Sequence, residues 1–313
     1  MTQTPILSEP AVDFSLSRSD RLQKRRRRGG LVNLLYLPAV LLFAVFTVYP
    51  LVSGVQLSFT NWDGYSLVRT FVGWANYARL FSDSTFHLVL VNTLVYGVGS
   101  MVIQQVLGLA LALALDRPMR GRSTVRAIVY LPVLVSPVIM GTLYYLLFQY
   151  NNGAFNDVVG LFGGPHVAWL SSPTASIAII VAVNSLQFVG ISMIIYLAGL
   201  QAIPDMYYEA SALDGARGWK QFIHITVPLL QPSFATSVVL NLIGGLKLFD
   251  VIQVLTKGGP GYSTNSVSTL IGITYFNNQS AGYASAMGVV LFIIIIVFTL
   301  ALNAALNRHR LEA

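Results

Sequence analysis

Residues 284–306 read ASAMGVVLFIIIIVFTLALNAAL, an apolar run that contains no Asp, Glu, Lys or Arg. A helix that crosses roughly 30 Å of hydrocarbon needs about 20 such residues, because every backbone polar group must be satisfied within the segment. Five further apolar runs precede it, and together they predict an all-α, polytopic bundle of six transmembrane helices. The predicted spans are Leu31–Leu57, Leu88–Leu115, Ala127–Phe148, Ala175–Leu200, Pro228–Leu248 and Ala284–Leu306.

The composition favours lipid as the solvent. Of the 313 residues, 55% are hydrophobic and 10% are charged, and the mean hydropathy is +0.66. Soluble domains carry about 25% charged residues. A soluble core of this size would leave apolar surface that so few charges could not cover.

The N-terminal segment 1–30 is basic and holds seven of the 19 Lys and Arg residues. We expect it to be largely disordered. A basic run can bind nucleic acid or anionic lipid, but beside an apolar span it more commonly fixes that end of the chain in the cytoplasm. No nucleic-acid partner is therefore expected. The first span is longer than the apolar core of about 7–15 residues in a signal peptide, so we expect it to remain in the mature protein.

The distribution of Lys and Arg predicts the orientation. Residues 31–307 form the transmembrane domain, and 308–313 form a short tail. Fifteen Lys and Arg lie in the two tails and in the loops after spans two and four, against four on the other side. Because cytoplasmic segments carry this excess, both termini are predicted to be cytoplasmic.

Prolines inside the spans predict kinks rather than breaks, because neighbouring helices can satisfy the freed carbonyls. The prolines in or beside spans are Pro38, Pro50, Pro132, Pro137 and Pro232.

The loop between spans four and five has helical signals of its own. Residues 201–232 read QAIPDMYYEASALDGARGWKQFIHITVPLLQP. Asp205 suits a helix start and Gly215 its C-terminal turn, while Trp219 and Phe222 recur at helical spacing. Two short helices are predicted, the second lying at the membrane surface. Many membrane proteins have a structured loop, so these signals alone fix no function.

The same loop resembles the EAA loop of ATP-binding-cassette (ABC) importer permeases, whose pattern is Glu-Ala-Ala, three residues, Gly, nine residues and Ile-x-Leu-Pro. Here the pattern reads Glu209-Ala210-Ser211, Gly215 and Ile225-Thr226-Val227-Pro228, with Ser211 and Val227 as departures. The resemblance covers most of the chain and points to the sugar-uptake branch. The other segments that show the resemblance are Asn92-Thr93-Leu94, Trp169-Leu170, AGLQAIP at 198–204 and LTKGGP at 255–260.

The resemblance implies a type I ABC importer permease fold in a bacterial plasma (inner) membrane. The loop 201–228 would be a coupling helix that seats in a groove of a cytoplasmic ATPase. Glu209 would pair with a donor there, and Gly215 would allow close backbone approach. A capping or solvated acid and a plain C-cap are the alternatives. The expected ATPase-coupling residues are Glu209, Ala210, Ser211, Asp214, Gly215 and Arg217.

The resemblance also implies an assembly. It would contain a second, similar permease in a heterodimer, two ATPase subunits that bind ATP and Mg, and an extracytoplasmic solute-binding protein. Residues 258–276 and the loop after span one are expected docking surfaces.

Signals of catalysis are missing from the sequence. There is no phosphate-cradling Gly-x-x-x-x-Gly-Lys-Ser/Thr loop, no dinucleotide fingerprint and no evident Ser, His and acid set. The chain has no Cys, and its four His are scattered rather than spaced as metal ligands. We therefore expect no enzymatic activity, cofactor or metal in this chain, and ATP hydrolysis in a separate subunit.

Polar side chains inside spans are candidates for substrate contact, because burying them is costly without partners. Asn184 and Gln187 lie in span four and Asn241 in span five, and Phe188 lies one helical turn from Asn184. Similarity to maltose-type permeases adds three positions from span five. The predicted substrate-pathway residues are Asn184, Gln187, Phe188, Asn241, Gly244, Gly245 and Leu248.

Alternatives remain for this set. Asn184 and Asn241 can instead form interhelical hydrogen bonds. Gly245 and Leu248 stand where maltose-type permeases present amides, which implies a different substrate or pose. For Lys247 and Asp250 we expect an i, i+3 ion pair rather than a ligand contact.

Two other classes of protein have comparable spans. An ion-coupled transporter should carry acids inside its spans, and the first four spans and the last have none. A membrane receptor or scaffold would use the basic tail to recruit partners, and neither class requires an EAA loop. The expected solute is a neutral mono- or oligosaccharide, with a glycerol phosphate-type solute as the alternative.

Overall fold

The computed structural model describes residues 36–307, and this part of the chain is mostly helical. Residues 1–35 and 308–313, and with them both predicted tails, lie outside the described residues. The helices are α1 Leu37–Leu57, α2 Ala75–Ser82, α3 Ser84–Asp116, α4 Arg122–Leu134, α5 Pro137–Leu147, α6 Ala154–Leu161, α7 Pro173–Gln201, α8 Asp205–Leu213, α9 at 219–229, α10 Gln231–Leu246, α11 Asp250–Leu255, α12 at 267–277 and α13 Ala281–Asn307. Single π-helical turns interrupt α1 and α9 and end α12.

Five helical segments are long and apolar enough to cross a membrane, and they correspond to five of the six predicted spans. They are Leu37–Leu57, Ser84–Asp116, Pro173–Gln201, Gln231–Leu255 and Ala281–Leu306. The segment Gln231–Leu255 consists of α10 and α11 with a short break between them. The all-α, multi-span architecture predicted from the apolar runs is confirmed.

The third predicted span, Ala127–Phe148, is broken rather than kinked. Helices α4 and α5 meet at 98°, with Val135 and Ser136 between them. The residue before a proline is disfavoured in the α region, and Ser136 is extended (φ −54°, ψ 134°) before Pro137. Pro137 then begins α5, where it lacks no hydrogen bond that the helix needs. The other four prolines lie within or at the first turn of their helices: Pro38, Pro50, Pro132 and Pro232.

The ion pair predicted between Lys247 and Asp250 is not found among the described residues, so this prediction is wrong. Helix α10 ends at Leu246, and α11 begins only at Asp250, so the two residues do not share a continuous helix. The i, i+3 geometry is therefore lost. Both side chains instead line a cavity described below.

Helices α3, α7 and α10 pack closely through small residues. A Cβ at Gly108 of α3 would overlap Cβ of Ser192 on α7, and a Cβ at Gly245 of α10 would lie 2.8 Å from Cα of Gly97 on α3. Small residues allow such backbone approach in membrane bundles. These three helices carry the buried polar side chains Gln104, Asn184 and Asn241 that are described below.

A turn at 256–266 is anchored to α3 and to the break between α10 and α11. Asn92 Nδ2 on α3 donates to the carbonyl of Ser263 at 2.7 Å, and Tyr96 Oη donates to that of Thr264 at 2.8 Å. On the other side, Ser266 Oγ donates to the Leu248 carbonyl at 2.6 Å. These bonds fix the end of α10 that carries the cavity wall. They also give Asn92 a structural role.

Candidate functional site

The loop 201–228 forms two short helices, as predicted. Helix α8 begins at Asp205, and Gly215 follows its last turn with φ +79°. The amide of Gly215 donates to the Ala212 carbonyl at 3.1 Å, and that of Ala216 to the Ser211 carbonyl at 2.9 Å. A left-handed residue closing a helix in this way is normally Gly.

Side-chain hydrogen bonds tie α8 to α9. Gln221 Nε2 on α9 donates to Ser211 Oγ at 2.9 Å and to the Tyr208 carbonyl at 3.2 Å. The hydroxyls of Tyr208 and Thr226 lie 3.1 Å apart. Ser211, one of the two departures from the EAA pattern, therefore contributes to the rigidity of the loop. Tyr208, Gln221 and Thr226 escaped sequence reasoning, because nothing in their spacing indicates that they face one another.

The opposite side of α8 faces outward. Glu209, Asp214 and Arg217 are exposed, and their side chains form no hydrogen bond or ion pair with the residues that the structure describes. The capping role considered for Glu209 is therefore not seen. Two apolar residues that the sequence did not single out lie among these charges, Met206 at 66% and Leu213 at 90% exposure. The exposed surface of the loop therefore presents both apolar and charged side chains to its surroundings.

A cavity of about 300 Å³ lies between α3, α7, α10 and α11. Six of the seven predicted substrate-pathway residues line it: Asn184, Phe188, Asn241, Gly244, Gly245 and Leu248. The other lining residues are Gln104, Pro137, Ile191, Leu240, Lys247, Phe249, Asp250 and Val251. Residues that were predicted from two different spans therefore line the same cavity.

Gln187 is not among the lining residues. Its side chain is fully buried, and Nε2 donates to the Val135 carbonyl at 3.3 Å. That carbonyl lies at the break between α4 and α5, where the helical bonding pattern stops. Gln187 therefore holds the break in place.

The two asparagines differ in their bonding. Asn241 Nδ2 donates to Ser192 Oγ on α7 at 2.6 Å and to Ser237 Oγ at 3.3 Å, so its amino group forms the interhelical bond that was the alternative role. The Asn184 side chain makes no hydrogen bond within residues 36–307, although the residue is only 2% exposed. An amide that lines a cavity and lacks a protein partner is available to a ligand.

Gln104 is a lining residue that the sequence reasoning missed. Its Nε2 donates to the backbone carbonyl of Asn184 at 3.2 Å, while its buried Oε1 has no partner among the described residues. Its amide within an apolar span was the signal that could have found it. With Asn184 and the ring of Phe188, it gives the cavity neutral donors, acceptors and an aromatic face. Such a lining suits a hydroxylated ligand.

Known proteins resemble this chain over most of its length. Residues 105–311 match the family model described as "Binding-protein-dependent transport system inner membrane component". The chain is 34% identical to the trehalose/maltose transport system permease protein MalF of Thermococcus litoralis, over 88% of this chain and 92% of that protein. It is 33% identical to AmyD of Thermoanaerobacterium thermosulfurigenes, a probable permease protein for starch degradation products, over 84% and 89% of the two chains.

A solved structure has the same architecture. A chain of a bacterial alginate ABC transporter, crystallised with an alginate pentasaccharide-bound periplasmic protein, superposes with a TM-score of 0.79. The two chains are 27% identical, and the match covers 92% of this chain and 98% of the other.

Proposed function

Because the chain belongs to the family of binding-protein-dependent transport system inner membrane components, we propose that it is the membrane-spanning permease subunit of an ATP-driven sugar importer. It is a multi-pass protein of the inner membrane, and the EAA-like loop identified in the sequence lies within the matched region. The observation that carries the proposal is the construction of that loop. It is a rigid, hydrogen-bonded pair of helices whose outer surface has charged groups without partners in the described chain.

The loop transmits work from a neighbouring ATPase. A conformational change in one subunit reaches another only through a packed contact that has two discrete arrangements. The bonds between Ser211, Gln221 and Tyr208 make α8 and α9 move together, as such a contact requires. Glu209 and Arg217 supply charges for ATPase groups, and Gly215 leaves room for a neighbouring backbone.

The loop lies on the cytoplasmic side, and both termini share that side. Support comes from the excess of Lys and Arg on the segments that this orientation places inside. The assembly contains a second permease, two ATPase subunits that bind ATP and Mg, and an external solute-binding protein. The alginate transporter solved with its periplasmic protein supports the last of these partners.

The solute is a neutral mono- or oligosaccharide, bound in the cavity between α7 and α10. The amides of Asn184 and Gln104 and the ring of Phe188 suit sugar hydroxyls and sugar faces. The names of the maltose/trehalose and starch-product relatives support the same class. Lys247 in the lining supports a second candidate, an anionic solute such as a glycerol phosphate, although Asp250 in the same lining offsets its charge.

Two measurements test the proposal. Glu209→Lys in the reconstituted transporter should leave the permease inserted but abolish the stimulation of ATPase activity by loaded binding protein, and Glu209→Gln separates loss of charge from its reversal. Normal stimulation in Glu209→Lys would contradict the coupling role. A thermal-shift screen of the binding protein with neutral sugars, acidic sugars and glycerol phosphates identifies the solute, and a response to none of the neutral sugars would refute the preferred class.

A further inference from the structure

Two arginines at the start of α4 converge on the residue from which the 201–228 loop leaves the bundle. With the amide oxygen of Gln201 turned toward them, it accepts hydrogen bonds from Arg122 Nη2 at 3.0 Å and Arg126 Nη2 at 3.3 Å. This orientation is assigned, because the opposite one would set the amide donors against the guanidinium donors. Gln201 is the last residue of α7, four residues before α8 begins.

The same arginines also hold the end of α3. Arg126 Nη2 donates to the Leu115 carbonyl at 3.2 Å, and Arg122 Nη2 lies 3.7 Å from Asp116 Oδ1. The last carbonyls of a helix lack intrahelical partners and attract cations. The Nε atoms of both arginines are shielded from solvent. Arg122, Arg126 and Gln201, which we call the clamp, thus join the ends of α3, α4 and α7.

Helix α4 stays attached to α7 from the clamp to the cavity. Midway, a Cβ at Gly190 of α7 would lie 2.8 Å from the Val129 carbonyl oxygen, so the two backbones are in contact. At the far end of α4, Gln187 donates to the Val135 carbonyl. Two residues later, Pro137 lines the cavity. A continuous set of contacts therefore runs along α4 from the base of the loop to the cavity wall.

We propose that the clamp is a positioning device that makes α4 move with the loop end of α7, so that motion delivered to the 201–228 loop reaches the cavity wall at Pro137. This inference rests on the proposed function. The break at 135–136 is the element whose arrangement changes, because no helical bonding pattern continues through it. Without the clamp, the start of α4 is no longer tied to the loop end of α7, and the contacts at Gly190 and Gln187 alone transmit less of the motion to Pro137.

The test follows the cavity wall directly. The chain has no Cys, so Ser136→Cys, at an exposed position of the break, introduces the only thiol in this subunit. Its rate of reaction with a small methanethiosulfonate reagent is measured in the full transporter, once without nucleotide and once trapped with ATP and orthovanadate. The ratio of the two rates reports the movement. Gln201→Leu removes the acceptor, and Gln201→Glu is the matched control that keeps an acceptor for both arginines.

We expect Gln201→Leu to reduce the nucleotide-dependent change in rate by roughly fivefold or more, the lower end of typical coupling between sites. The rate without nucleotide and the co-purification of the ATPase subunit should stay unchanged, which a merely structural role would not predict. Gln201→Glu should behave like the parent. An unchanged ratio in Gln201→Leu, or a ratio of one in the parent, would overturn the inference. If Glu209→Lys brings the ratio of the two rates to one while Gln201→Leu leaves the ratio unchanged, the proposed function is supported and the role of the clamp is refuted.

Discussion

Substitutions at Gly215 distinguish a plain helix cap from a close contact with another subunit. The residue has φ +79°, and a Cβ there would meet no other atom of residues 36–307 within 4 Å. A left-handed conformation costs an L-residue such as Ala roughly 1–2 kcal/mol, whereas Asn adopts it more readily. In the permease alone, Gly215→Asn should therefore be nearly neutral, and Gly215→Ala should lower the local stability of the loop by about that amount.

The contact with the ATPase changes this expectation. If a neighbouring backbone approaches Gly215, any side chain at this position separates the two surfaces, whatever its effect on the turn. We expect both variants to insert normally. The stimulation of ATPase activity by loaded binding protein should fall roughly tenfold in each, within the usual range of coupling between sites. Insertion is checked by the amount of permease in the membrane, and turn stability by thermal unfolding of the permease without ATPase. Full stimulation in Gly215→Asn would refute close approach and leave the residue as a cap.

Three further predictions concern other parts of the chain. Ser211→Ala removes the acceptor of Gln221 and should weaken the α8–α9 link by about 0.5–1.5 kcal/mol, which a double-mutant cycle with Gln221→Leu measures by thermal unfolding; additive effects would contradict the link. Asn184→Leu should leave the fold intact, since the side chain makes no bond within the described residues, but should lower transport of the cognate solute by roughly tenfold; unchanged uptake would remove Asn184 from the substrate path. Burial raises the pKa of Asp83, but hydrogen bonds from Tyr283 and from the Thr85 amide outweigh this effect and hold the pKa below its usual value. The Asp83 carboxylate should therefore stabilise the start of α3 above about pH 4, and this stabilisation should be lost as the pH falls through the lowered pKa. Asp83→Ala should cost about 1 kcal/mol at neutral pH and abolish this acid sensitivity in thermal unfolding.

The features predicted well from sequence were those set by local composition and spacing. Apolar runs of sufficient length became helices, and the Asp205 start and the Gly215 turn were found where the local rules place them. Residues from different spans, such as Asn184 and Asn241, were brought to one cavity only with the help of a family resemblance. Composition alone gives no pairing between spans.

The errors arose where tertiary contacts or a local exception decided the outcome. Pro137 was expected to kink a continuous helix, but Gln187 from another span satisfies a carbonyl at the break and allows a sharp turn. The Lys247–Asp250 pair assumed a helix that stops at Leu246. The contacts of Gln221 were invisible for the same reason, since they connect two helices whose relative placement the sequence does not specify.

The most direct test of the account is the location and partner of α8. Asp214→Cys would place the only thiol of this chain on the exposed surface of the 201–228 loop, where a benzophenone maleimide can be attached. In inside-out vesicles carrying the whole transporter, we expect labelling from the cytoplasmic side and light-induced cross-linking to the ATPase subunit. Labelling only from the opposite side, or cross-links that never include the ATPase, would contradict the role assigned to this loop.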